Sequence, residues 1–207
     1  LGNMQAAGGA YDWLANLLTE EGTEKDFRAL DAHAAAAPPG ADGLLFLPHL
    51  LGERAPYWNP AARGAFVGLA MPHGRPQVVR AVLEGVAFHL RLILDALREQ
   101  GATIPTMRLI GGGARSALWR QIIADALGLP ILLPGLTAEA TSLGAAIAGG
   151  VGVGLYPDYG VAGRLIPTAA AETPDPAVAA RYADLIALYA ETYRALEPIF
   201  AKLAKAA

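Results

Sequence analysis

Leu109-Ile110-Gly111-Gly112-Gly113-Ala114-Arg115-Ser116 is the stretch on which the reading of this chain turns. The apolar run Met107 to Ile110 predicts a short strand, and Arg115 to Leu127 predicts a helix, with three consecutive glycines between them. Glycine has no Cβ, so such a turn lets the backbone approach a flat or charged ligand closely. The helix behind it would point unpaired N–H groups toward a phosphate or a ribose. A tight strand-to-helix turn also uses glycine for its own geometry, so on this motif alone both readings stand. It is not a P-loop, because no Gly-Lys-Ser/Thr follows. It also departs from the dinucleotide fingerprint: Ser116 stands at the third glycine, and no acidic residue ends a strand about 20 residues on.

Outward from this turn, Pro130 to Leu133 reads as a second strand and Ala138 to Gly149 as a helix. Upstream lies the longest helical pattern, Arg75 to Glu99, with Val79, Val82, Val86, Leu90, Ile93 and Leu97 along one face. Its other face is also fairly apolar, which predicts a well-buried helix. Alternating strands and helices predict an α/β fold, a mixed sheet flanked by helices. Nearer the start, Ala6 to Leu18 and Glu24 to Ala36 read as helices, the second ended by Pro38-Pro39-Gly40. Gly43 to His49 and Gly64 to Leu69 read as strands on either side of the turn-rich Gly52 to Pro60. Pro157 to Pro174 reads as loop and Ala177 to Lys202 as a closing helix. No repeat or linker divides the chain, so residues 1–207 are taken as one domain.

Composition narrows the function. The chain is 54% hydrophobic and 17% charged, with a net charge of −3. That balance, without clusters of Lys and Arg, predicts neither a nucleic-acid nor a membrane partner. No cysteine is present, which removes disulfides, thiolate metal sites and a cysteine nucleophile and fits a cytoplasmic location. The uncharged run Ala140 to Pro157 is broken by Gly144, Gly149, Gly150, Gly152 and Gly154, which argues against a span. The start, Leu1-Gly2-Asn3, carries no basic region leading into an apolar run, so no signal peptide is expected there, and a non-Met first residue suggests sequence upstream.

Two other glycine patterns stand out. Gly8-Gly9 falls inside the first helical pattern, where glycine costs about 1 kcal/mol relative to alanine. It marks either a helix start or a backbone passing close to a phosphate. Glu139 to Gly150 is so dense in small residues that one helix face is nearly flat, which suits close helix packing, within the domain or across an interface.

More specific are two stretches between these patterns. Gly64 to Glu84 opens Gly-x-aromatic-x-Gly-Leu, carries the polar Gln77 and closes on Ala81-Val82-Leu83-Glu84. Before it stands Leu51-Gly52-Glu53-Arg54-Ala55-Pro56. Together with Gly111 to Gln121, these resemble the C-terminal domain of the FGGY carbohydrate kinases, members of the actin-like ATPase superfamily with a ribonuclease H-like fold. The likeness covers nearly the whole chain and is strongest to the xylulokinase members, with Ala55 where they have threonine.

The resemblance implies transfer of the ATP γ-phosphoryl group to a sugar hydroxyl, with ATP and Mg2+ as cofactors and D-xylulose as the favoured acceptor. It implies that Gly112, Gly113 and Ala114 line an adenosine pocket, that Gly8 lies against the phosphates and that Asp12 lies near the adenine. Ala117 stands where glycerol kinases carry asparagine, so a side-chain contact to adenine is lost there. The small-residue helix would be the one that pivots against the other domain. The proton-accepting aspartate and a Gly-Thr phosphate loop precede the Gly2 segment in the family, so no catalytic residue is assigned in this chain and it is expected to be inactive alone. Kinases for other sugars or polyols share much of both motifs. A non-catalytic nucleotide-binding or regulatory module, or a dinucleotide-dependent oxidoreductase, would be a different outcome.

Other residues carry blander expectations. Glu53 and Arg54 are expected to pair with each other or to hold the loop to the Arg63 turn, with a substrate role as the less favoured alternative. Glu84 and His89 are expected to be satisfied buried groups. His33, His49 and His73 have no partner at metal-ligand spacing, so no protein metal site is expected. Trp13, Trp58 and Trp119 are expected as core or turn anchors, Trp58 also as a cleft residue, and Asp42, Asp95 and Asp125 as caps or surface. The terminal helix is a candidate homodimer surface.

Overall fold

A computed structural model describes residues 2–135 and 139–206. Around the glycine turn it shows β3 (Met107–Arg108), a 3-10 turn over Gly112–Arg115, α4 (Ala117–Leu127) and β4 (Ile131–Pro134). Arg115 therefore belongs to the turn rather than to the helix. The reason is local: Ser116 is the N-cap, its Oγ accepting the Trp119 N–H at 3.0 Å. Before the turn come α1 (Ala7–Leu18), α2 (Phe27–Ala36), β1 (Leu45–Leu47), β2 (Ala65–Val67) and α3 (Arg75–Glu99). The second helix starts at Phe27, later than expected, because Asp26 caps it, accepting from Arg28 N–H at 2.9 Å and Ala29 N–H at 3.0 Å. After it come α5 (Ala140–Gly152), α6 (Val161–Leu165), β5 (Thr168–Glu172) and α7 (Pro176–Ala206). The expected start of the small-residue helix, Ala138, lies outside the described residues.

The α3 helix is the spine. Every residue from Val79 to His89 is buried, and α1, α2, α4, α7 and β1 pack around it. Each fully buried Val or Leu on it contributes about 1.5–3 kcal/mol relative to exposure. At Gly85 an added Cβ would run into the Phe46 carbonyl, so only glycine lets this helix lie against β1. The α7 helix covers the same core from the other side with Tyr182, Ile186, Tyr189 and Tyr193.

Among the described residues, two small sheets form. β1 and β2 pair antiparallel, Phe46 opposite Phe66. β3 and β4 pair parallel, and β5 joins the other edge of β4 antiparallel, with a register shift between Ile131 and Leu132. The sheet beside the glycine turn is thus mixed and flanked by helices. The 157–174 stretch, expected to be loop, contains α6 and β5. Its strand is Thr168-Ala169-Ala170-Ala171-Glu172, without the alternation that betrays a strand; it forms because the free edge of β4 is there to pair with. Among the described residues, no helix is long and apolar enough to cross a membrane. On α5, Gly150 packs under the ring of Tyr156, while Thr141, Gly144, Ala145, Ala148 and Gly149 are exposed.

Candidate functional site

Between α1, the first turn of α2 and the glycine turn lies a cleft of about 650 Å³. Its floor is Gly112 and Gly113, its back is Trp119, and one wall is Tyr11 and Phe27. Gly8 and Asp12 reach it from α1, and Arg28, Asp31 and Arg115 stand around it as its charges. Gly111 turns the chain into the floor at φ +84°, a conformation that L side chains rarely adopt.

The three glycines are not equivalent. Among the described residues, a Cβ at Gly112 would meet nothing within 4 Å, so this backbone faces open space. A Cβ at Gly113 would come within 2.9 Å of the Trp119 ring. A β-branched residue at 113 would therefore strike the protein's own indole first. The open position of the floor is therefore Gly112. Ala114 turns inward, only 4% exposed, and Ala117 is exposed on the first turn of α4, outside the cleft lining. Of the six residues singled out in the sequence, Gly8, Asp12, Gly112 and Gly113 thus share one cleft, whereas Ala114 and Ala117 stand behind and beside it.

The aromatic wall is rigid. Trp119 is anchored by its indole N–H to the Leu83 carbonyl at 3.0 Å. Tyr11 meets Trp119 edge-on at 5.4 Å and Phe27 at 5.3 Å, distances favoured by ring quadrupoles. The Tyr11 hydroxyl donates to Asp31 Oδ1 at 2.8 Å. Burial, reinforced by that carboxylate, pushes the phenol well above its ordinary 10.0, so it remains a donor at neutral pH. Asp12 is paired with Lys25 at 2.6 Å on the surface. At the start of α1 the first N–H groups have no acceptor within the helix, and Gly8 is open on its free side. An apolar slot with a bare backbone floor and charges at the mouth suits a flat heterocycle carrying anionic groups.

A second cluster joins His49 and Glu53, four residues apart, to His89 on α3. His49, Glu53 and His89 are fully buried, with ligand atoms all within 4.8 Å of one another, correcting the expectation that His49 has no partner. Glu53 Oε2 lies 3.2 Å from His49 Nδ1 and 3.1 Å from His89 Nε2. Its Oε1 accepts the backbone N–H of Arg54 at 2.8 Å and of Gln5 at 3.2 Å. Burial works against this carboxylate, yet the bonds from His49, His89 and Arg54 outweigh it and hold the group well below the usual carboxylate range. Burial lowers the pKa of His49, whose Nε2 has no partner among the described residues. The Arg54 guanidinium lies over the exposed Trp58, 5.9 Å from the ring centroid, and Arg63 donates to the carbonyls of Pro60 and Ala62. Glu53 and Arg54 are therefore not a side-chain pair.

Glu84 is satisfied as expected, held by Arg80 at 2.6 Å, Tyr182 at 2.7 Å and the Gly40 N–H at 2.8 Å. Asp125 is a correction: it is buried, accepting from Gln121 and from the Asp175 N–H, both at 2.7 Å. Of the other lining residues, Tyr11, Phe27, Arg28, Asp31, Arg115, Ser116 and Trp119 were not assigned to the site from sequence. Tyr11 beside Asp12, and Arg115 and Ser116 directly after the glycines, gave a local cue; Phe27, Arg28 and Asp31 on the second helix gave none.

A family model described as the C-terminal domain of the FGGY family of carbohydrate kinases matches residues 2–153. A gluconokinase of Bacillus licheniformis is 38% identical over 167 residues, covering 80% of this chain and 32% of that protein. A xylulose kinase of Bacillus subtilis is 31% identical over 194 residues, 93% of this chain and 38% of that one. Among solved structures, gluconate kinase from Lactobacillus acidophilus matches with a TM-score of 0.86 at 30% identity, covering 98% of this chain and 40% of the other. Xylulose kinase from Rhodospirillum rubrum matches at 0.82 and 38% identity, covering 96% and 40%. Glycerol kinase from Plasmodium falciparum, solved with ADP, matches at 0.69 and 25% identity, covering 91% and 37%. The chain spans roughly a third of the length of the curated relatives it matches. These neighbours have the actin-like ATPase fold, and this chain shares it.

Proposed function

The chain belongs to the FGGY family of carbohydrate kinases, and on that premise we propose that it forms the nucleotide side of an ATP-dependent kinase for a sugar hydroxyl. The observation that carries this reading is the cleft itself. Gly112 faces open space beside Tyr11, Phe27 and Trp119, with Gly8 and Asp12 on the same cavity. The ADP of the Plasmodium relative supports a nucleotide as the ligand. In this proposal the purine lies over Gly112, and the phosphates run toward the start of α1.

Residues around the cleft do not form a magnesium cage. Asp12 is held by Lys25 and Asp31 by Tyr11, and the group of three converging ligand side chains found among the described residues lies elsewhere, at His49, Glu53 and His89. A metal here would travel with the nucleotide. The proton-accepting aspartate is assigned to the part of the relatives that this chain does not span.

D-xylulose is the proposed acceptor, supported by the Gly52–Pro56 and Gly111–Gln121 stretches and by the xylulose kinase of Rhodospirillum rubrum. Gluconate and glycerol are the competing acceptors, given the relatives that carry those names. The test is ATP-dependent phosphorylation by the full-length protein, with D-xylulose, gluconate and glycerol assayed in parallel. Turnover of D-xylulose at the highest kcat/KM is expected. Turnover of another of the three replaces the acceptor assignment, and turnover of none overturns the kinase reading.

A further inference from the structure

The floor of the cleft is poorly held by itself. Its internal backbone bonds are long, Ala114 N–H to Gly111 carbonyl at 3.2 Å and Ser116 N–H to Gly113 carbonyl at 3.3 Å. Gly111 and Gly112 have no neighbours where a Cβ would stand, and glycine is the residue with most freedom to lose. Among the described residues, one short, charge-assisted contact reaches this turn from outside it. Arg120, on the first turn of α4, donates from Nη1 to the Ala114 carbonyl at 2.8 Å. The rest of its guanidinium is committed to Glu172 at the end of β5: Nε lies 2.9 Å from both carboxylate oxygens, and Nη2 lies 2.8 Å from Oε1. Both side chains are largely buried, 16% and 10% exposed, so the pair is screened far less than a surface bridge.

We propose that Arg120 is a positioning residue for the nucleotide: oriented by Glu172, it holds the Ala114 carbonyl and thereby keeps Gly112 facing the cleft. This rests on the cleft being the nucleotide site. It also gives β5 a role beyond closing the sheet edge, because the strand delivers the carboxylate that aims the arginine. Lysine could not replace it, having no planar fork to serve Ala114 and Glu172 together.

A second arginine provides a matched control. Arg91 on α3 binds Asp95 through Nε at 2.9 Å to each oxygen and donates from Nη1 to the Ala126 carbonyl at 3.0 Å. Its chemistry is the same, but it touches no part of the cleft lining. In the full-length kinase, Arg120→Met and Glu172→Gln are expected to raise the KM for ATP by about tenfold. The kcat and the KM for the sugar should stay within about twofold of wild type. Arg120→Lys should rescue poorly. Amide exchange at residues 111–116, measured without nucleotide, should quicken in Arg120→Met and Glu172→Gln. Arg91→Met should lower thermal stability with the KM for ATP unchanged.

The proposal is overturned if Arg120→Met binds ATP as wild type does, or if Arg91→Met raises the KM for ATP equally. Should Arg120→Met not fold, Glu172→Gln decides between the same outcomes. A wild-type enzyme that binds no ATP at all overturns the site reading instead.

Discussion

The Tyr11 hydroxyl donates to Asp31 at 2.8 Å, joining the helix that carries Gly8 to the one that carries Phe27 and Arg28. Through the Tyr11 ring the same contact reaches Trp119, which backs the glycine turn. The cleft walls are therefore one braced unit. Removing only the hydroxyl, in Tyr11→Phe, is expected to cost about 0.5–1.5 kcal/mol. Removing the buried ring, in Tyr11→Ala, should cost about 3–5 kcal/mol. Urea denaturation of both variants checks this, and equal losses would contradict the brace.

The glycine floor can be split residue by residue. Gly112→Leu adds a side chain into open space and should leave stability within about 0.5 kcal/mol of wild type. Its ATP affinity, read by calorimetry, should fall at least about tenfold, because the slot is filled. Gly113→Ala should do the reverse at first: the methyl meets the Trp119 ring at 2.9 Å, and overpacking costs about 1–3 kcal/mol. A Gly112→Leu protein that binds ATP normally would remove the floor from the site.

Acid should weaken the His49–Glu53–His89 cluster in two steps. His49 is held below its ordinary 6.5 by burial, so its contribution is complete above that pH and is lost as pH falls below it. Glu53, held below its ordinary 4.5 as burial is outweighed by its hydrogen bonds, adds a second loss as pH falls below that value. Glu84 and Asp125, raised by burial, act in the opposite sense. The difference between wild type and His49→Asn isolates the first step. Wild type should lose up to about 1.4 kcal/mol per pH unit more than the variant below pH 6.5. Parallel stability curves for the two proteins would refute this.

Glu84 compensates a charge buried with it. Glu84→Ala leaves the Arg80 guanidinium, 6% exposed, with no carboxylate and should cost about 3–5 kcal/mol. Arg80 keeps only neutral acceptors at Ala34, Ala37 and Tyr182. The double variant Arg80→Met/Glu84→Ala should recover part of that loss. Thermal denaturation of the three proteins measures the coupling, and simple additivity would rule out a shared buried charge.

What could be read along the chain was what depends on near neighbours. The spine helix from Arg75 to Glu99 showed itself by periodic valines and leucines, and its predicted limits match those observed. The glycine turn was legible because the absence of Cβ atoms is a property of the residues themselves. Family membership was legible because Gly64–Glu84 and Gly111–Gln121 are contiguous motifs. Helix starts were less so: Phe27 and Ala117 begin helices because Asp26 and Ser116 cap them, one turn of backbone geometry that apolar periodicity does not register.

Tertiary structure alone decided which glycine faces the cleft. Gly112 and Gly113 are identical in sequence terms, and only the arrival of Trp119 beneath one of them makes the other the open floor. It also decided that an alanine-rich stretch becomes β5, that His89 arrives from α3 to meet Glu53, and that Arg120 meets a carboxylate 52 residues away. These contacts depend on how elements pack after the chain has folded back on itself. Side-chain reach is a few ångströms, so partners distant in sequence leave no local trace until packing brings them within it.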